Sequence, residues 1–149
     1  MIIKIDHTKI EIAYEIRNIF QASYSVEAKL LRAVNFPPLK RTISEFIDSC
    51  SIFYAYYFNE NIVGVIEIKS NDYSTHIQSL VVYPEYFRKG IGRQLVHFII
   101  DKYNSNLFIV ETGRDNLPAI RLYKQLGFSK QDEWDTEHGV VKISLKKIN

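Results

Sequence analysis

Proline at 84 and glycines at 90 and 92 constrain one stretch, Ile77 to Ile100, more than any other part of the chain. Leu80, Val81, Val82 and Tyr83 form an apolar run with strong β preference, and Pro84 ends it because proline cannot donate to a ladder. Arg88, Lys89, Gly90, Ile91 and Gly92 follow, and then Ile91, Leu95, Phe98 and Ile99 recur at helical spacing. The stretch therefore reads as strand, loop and helix. A helix start presents unpaired N–H groups and a partial positive charge, which suit an anion, most often phosphate. Glycines at 90 and 92 let a bulky phosphate approach the backbone, and Arg88, Lys89 and Arg93 add charge. The same spacing also describes a plain strand–turn–helix joint with a basic surface. It is not a Walker A loop, since no Gly-Lys-Ser/Thr follows, nor a G-x-G-x-x-G dinucleotide fingerprint.

Size and charge narrow the rest. A chain of 149 residues suits one domain, residues 1–149, with one real core. Hydrophobic content of 46% and charged content of 24% are ordinary for a soluble globular protein. A net charge of +2 is too small to argue for nucleic acid. Cys50 is the only cysteine, which excludes an internal disulfide and a cysteine-based zinc cluster. We read it as a small buried residue. His7, His97 and His138 lack partners at metal-ligand spacing and read as structural or surface residues, so no metal is expected. The N-terminal residues carry no long apolar segment, no run approaches membrane-spanning length, and a reducing cytoplasm is the expected setting.

Along the chain, Ile2, Ile3 and Ile5 suggest a first strand. Thr8 with Glu11 matches a capping box ahead of a helix over 9–22, and Ser25 is placed to cap a second helix through Val34. Asn35 to Leu39, with two prolines, must be loop. Thr42 and Glu45 make another capping box before a short helix. Ile52–Phe58 and Ile62–Lys69 read as a hairpin turning at Asn59-Glu60-Asn61. The strand from near Thr75, its helix to Tyr103 and a strand over Leu107–Glu111 suggest a parallel pair with a right-handed crossover. Asn116 caps a short helix with Pro118 in its first turn, Gly127 sits at that helix's C-terminal end, and two strands close the chain. Strands and helices alternate unevenly, which predicts a mixed sheet with helices on both faces.

Two separated segments give the chain a family likeness. One is Leu80-Val81-Val82-Tyr83-Pro84 with Arg88-Lys89-Gly90-Ile91-Gly92-Arg93 and Leu95. The other is Asn116 to Phe128, with Asn116, Ala119, Tyr123, Gly127 and Phe128 in the family's pattern. In these segments, and in its order of elements, the chain resembles the GNAT family of N-acetyltransferases, which use acetyl-coenzyme A. The resemblance implies an α/β (α+β) fold: a mixed, mostly antiparallel central sheet, helices on both faces, and one parallel strand pair that splays apart. One position departs from the pattern: Phe87 stands where the family usually has Gln or Arg. Side-chain help for the phosphates would then come from Arg88, Lys89 or Arg93.

What the resemblance implies chemically is direct attack of an amine on a thioester. The amine must lose a proton, since a free amine of pKa about 10 is mostly charged at neutral pH. The oxyanion needs donors, and the departing thiolate needs a proton. The backbone of Leu80, Val81 and Val82 would hold the acetyl carbonyl and pantetheine arm, and the loop 88–93 the diphosphate. Asn116 would cap its helix and reach the pantetheine. Tyr123 would protonate the sulfur, being neutral at physiological pH without any shift. For the base, the strand positions the family uses are His76 and Gln78 here. Only His76 can take a proton, with Glu67 and Glu111 as rivals. Tyr24, Phe36 and tyrosines 54, 56 and 57 hint at an aromatic acceptor pocket. The acceptor would be a small-molecule or peptide amine. Dimers are common in the family. A non-catalytic acyl-coenzyme A sensor on the same fold is the alternative reading.

Overall fold

The computed structural model describes residues 1–149. Seven strands form one sheet in the order β1-β2-β3-β4-β5-β7-β6. They are β1 (Ile2–Ile5), β2 (Ile52–Phe58), β3 (Asn61–Ser70), β4 (Ser74–Val82), β5 (Leu107–Gly113), β6 (Ser129–Asp135) and β7 (Val141–Ile148). Every neighbouring pair is antiparallel except β4 and β5, which run parallel. That pair is joined by helix α3 (Ile91–Tyr103), the crossover a parallel pair needs.

Period-two alternation divides the sheet's side chains between two cores. Phe53, Ala55, Val65 and Val81 meet Ala13, Ile16, Ile19 and Phe20 of α1 (Ile10–Leu31) and Phe46 of α2 (Ile43–Ile47). Tyr54, Ile66, Phe108, Val110 and Leu145 meet Ile91, Leu95, Val96 and Ile99 of α3 and Tyr123 of α4 (Leu117–Gln125). The first pair of helices thus covers one face and the second pair the other. Gly64 lets α3 settle: a Cβ there would lie 2.8 Å from Ile91 Cγ2 and 3.1 Å from Leu95 Cδ1.

Three local expectations are corrected. Residues 10–31 form one helix, not two. Ser25 does not cap; its hydroxyl donates to the Gln21 carbonyl one turn back, which a helix interior tolerates. At the start of α1 the capping position is Lys9, with no side-chain bond, because Thr8 is engaged by the Asp6 carboxylate instead. Cys50 is exposed rather than buried, since it lies in the irregular segment between α2 and β2. The capping box of Thr42 and Glu45 forms with both its bonds.

Candidate active site

The site begins with a defect in a ladder. Pairing of β4 to β5 runs only from Ser74↔Leu107 to Ile77↔Val110. On the other side of β4, Ile68 faces Ile77 while Glu67 faces Ser79, so Gln78 is one extra residue, a β-bulge. A bulge bends its strand and increases local twist. Beyond Gln78, β4 continues with β3 as far as Val82↔Gly64, while β5 continues with β7 as far as Gly113↔Lys142. The two parallel strands therefore part just past Ile77 and Val110, leaving a gap with one bare edge on each side.

Backbone direction decides which groups face the gap. Tyr83 N–H donates to Val63 O at 3.0 Å. Alternation along an antiparallel ladder then points Val81 N–H at β3, and Leu80 and Val82 N–H at the gap. Val82 N–H indeed reaches away from β3, to Ser23 Oγ at 3.4 Å. Of the expected strand contacts, Leu80 and Val82 present donors. Val81 does not, because its amide serves the sheet and its side chain is buried in the α1 core.

Helix α1 roofs this gap. Ser23, Glu27 and Leu31, spaced by one turn each, lie along one helix face. Ser23 meets β4 through Val82 N–H, and Glu27 Oε1 accepts from Asn116 Nδ2 at 2.5 Å. Leu31 packs on Gly113, where a Cβ would fall 2.7 Å from its two methyl carbons. One stripe of α1 thereby touches both sides of the opening.

At the far end of β4 lies the loop that the glycines foretold. Arg88 and Gly90 have φ of 61° and 79°, and Gly90 is the N-cap of α3. The first helical bond is Gln94 N–H to Gly90 O at 3.0 Å. From Arg88 through Arg93, no backbone N–H has an acceptor within the protein. Such a run of donors at a helix N-terminus forms an anion cradle. A Cβ on Gly92 would meet nothing closer than Leu80 Cδ2 at 3.6 Å, so this glycine is not required by packing inside the protein. The side chains around the cradle are partly engaged: Arg93 Nη1 donates to Gln125 Oε1 at 2.7 Å, and Lys89 Nζ stands 5.5 Å over the Tyr86 ring.

Helix α4 supplies the groups at the gap itself. Asn116 Oδ1 accepts from Ala119 N–H as the cap, and its amide nitrogen is given to Glu27. Tyr123 is buried, with its ring 5.3 Å from that of Phe128, and its hydroxyl makes no hydrogen bond to the protein. Burial, together with the nearby Tyr24 and Glu27, pushes this phenol well above its ordinary pKa of 10. Burial likewise raises Tyr24. Glu27 is raised by burial too, against the pull of the Asn116 bond and the charge of Lys142. The sequence does not reveal Glu27 and its link to Asn116, because Ser25 suits the cap of a separate helix running through Val34.

The three candidate bases sit differently. His76 and Gln78 line a cavity of about 170 Å³ at the fork, with Ile109, Glu111 and Lys142. His76 lies in the paired part of β4, opposite Ile109. Glu111 is exposed, with Lys142 Nζ at 3.7 Å. Glu67 is engaged within the fold. Burial alone would raise its carboxyl, but Arg41 grips both oxygens, at 2.7 and 2.9 Å, and Ser79 Oγ donates at 3.0 Å, so the group is held below the ordinary value. A carboxylate so paired has little affinity left for a substrate's proton. A larger hollow of about 320 Å³, between Glu15, Asn18, Asn61 and Tyr83, shares no residue with the fork.

A bulged, splayed parallel pair thus lies next to an amide-lined helix start. The acetyltransferase (GNAT) family model matches residues 13–128, and the chain belongs to that family. The UPF0157 protein YqkA of Bacillus subtilis (strain 168) is 34% identical over 143 residues. That match covers 95% of this chain but 41% of YqkA, so the chain spans about two-fifths of its relative's length. Among solved structures, the ribosomal-protein-S18-alanine N-acetyltransferase of Escherichia coli superposes with a TM-score of 0.78 at 18% identity, over 99% of this chain and 92% of that one. The PaiA N-acetyltransferase of Thermoplasma acidophilum, solved with coenzyme A, gives 0.76 at 16%, over 100% and 99%. These two show the shared fold.

Proposed function

We propose that the protein transfers the acetyl group of acetyl-coenzyme A to a primary amine by direct attack. The observation that carries this is the run of unpartnered amides from Arg88 to Arg93, set at the end of a strand whose Leu80 and Val82 donors face the gap. The amides suit the diphosphate, and Leu80 and Val82 suit the pantetheine and the thioester carbonyl. The residues then divide the chemistry. The amine nitrogen forms the new bond to the carbonyl carbon as the C–S bond breaks. His76, placed at the fork, takes the amine's proton. Tyr123, kept protonated by its buried setting, gives its proton to the departing sulfur. Asn116 positions the helix that carries Tyr123.

The test is thiol release from acetyl-coenzyme A with a panel of small amines and short peptides. Acceptor-dependent release supports the reading. Tight coenzyme A binding with no release above background for any amine would overturn it in favour of a sensor.

A further inference from the structure

Two carboxylates close to the gap are shielded from water, Glu67 fully and Glu27 in part, and are met very differently. Glu67 is matched in charge by the Arg41 guanidinium and bonded again by Ser79. Glu27 has one neutral partner, the Asn116 amide, and no ion pair with any Lys, Arg or His. The cation whose charge it feels, Lys142, is placed against Glu111. Even partial removal of a charge from water without a counter-ion is costly, and departures of this kind mark functional sites.

The surroundings of Glu27 say what that partner is. Tyr24 and Tyr123 lie near it, and Tyr24 in turn packs edge-on to Phe36 at 5.9 Å. A carboxylate among aromatic rings suits an organic cation, through an ion pair and the rings' negative faces. It opposes an anion outright and gives a neutral hydroxyl nothing that water does not. Glu27 also stands at the roof of the gap, on the stripe of α1 that bridges β4 and the end of β5.

We propose that Glu27 is the acceptor anchor: it holds the positive charge of an alkylammonium acceptor over the gap between β4 and β5 and restricts the enzyme to cationic amines. This rests on the acetyl-transfer reading. Glu27 is a specificity residue here, and the proton is removed elsewhere.

Calorimetry with n-butylammonium and with n-butanol, on the full chain saturated with coenzyme A, tests it. Butylammonium should bind and butanol should give no heat. Glu27→Gln keeps an oxygen for the Asn116 amide, so the fold is retained. It should weaken butylammonium at least about tenfold, equivalent to about 1.4 kcal/mol, and leave coenzyme A affinity unchanged. Glu27→Asp should keep the preference for the cation. Equal binding of amine and alcohol, no binding of the amine to the wild type, or undiminished binding to Glu27→Gln would overturn the proposal. Failure of the wild type to bind coenzyme A would instead strike the acetyl-transfer reading, while the amine titration without coenzyme A would still judge Glu27.

Discussion

Arg41→Ala should be among the most destabilising single changes in the protein. Arg41 joins the loop before α2 to β3 through both oxygens of Glu67, whose side chain is only 3% exposed. Its guanidinium also lies 4.2 Å over the Phe46 ring. Removing it strands a buried carboxylate with only the neutral hydroxyls of Ser79 and Ser51 beside it. Breaking a buried pair this way costs about 3–5 kcal/mol. Each kcal/mol lowers the midpoint by about 2–4 °C in a domain of this size, so the fall should be roughly 6–20 °C. The pH dependence has a definite sign. In the wild type Glu67 is depressed below 4.5, so its stabilising contribution is present above that value and is lost as pH falls through the folded pKa. In Arg41→Ala burial, the largest influence on Glu67, is opposed only by serine hydroxyls and raises the group, so the penalty grows as pH rises through the ordinary carboxylate range. Thermal melts at neutral pH and near pH 4 should show the gap between the proteins narrowing in acid. Replacing both partners, Arg41→Met with Glu67→Leu, should recover most of the loss. A change under about 1 kcal/mol, or a gap that does not vary with pH, would refute the reasoning.

Other outcomes follow from single contacts. Tyr123→Phe should lower kcat at least about tenfold with little change in the Michaelis constant for acetyl-coenzyme A, read by initial rates. Because burial lifts the Tyr123 phenol above its ordinary 10, its ionisation should produce no falling limb in the wild-type pH–rate profile below about pH 9.5. Glu27→Gln should raise the thermal midpoint at neutral pH. A carboxyl whose folded pKa is raised loses stability as pH climbs from the unfolded to the folded value, so the advantage should vanish well below 4.5. Gly113→Ala would drive a methyl to within 2.7 Å of the Leu31 methyls and should cost about 1–3 kcal/mol in denaturant melts, largely relieved by adding Leu31→Ala.

The parts legible in the sequence were those that local rules fix. Pro84 and the spacing of Ile91, Leu95 and Ile99 set the end of the strand and the helix without help from distant residues. Asn116 announced its helix because a cap is a short-range bond. The long α1 was misread because Ser25 suits a cap as well as it suits a helix interior that bonds back to Gln21. The bulge at Gln78 was invisible because it is a property of pairing: nothing in Ile77-Gln78-Ser79 says which residue β3 will skip. For the same reason the sequence could not show that Val81 turns its amide inward while Leu80 and Val82 turn theirs outward. The pairs Arg41–Glu67 and Glu27–Asn116 each join distant segments, so only the fold could separate the satisfied carboxylate from the unsatisfied one.

Amide chemical shifts followed during a coenzyme A titration report most directly on the cradle and the bared strand edge. The N–H resonances of Arg88 through Arg93, with those of Leu80 and Val82, should move furthest, while Val81, bonded into the sheet, should move little. Saturating coenzyme A that left these amides in place, or shifted chiefly residues remote from the β4–α3 loop, would contradict the account.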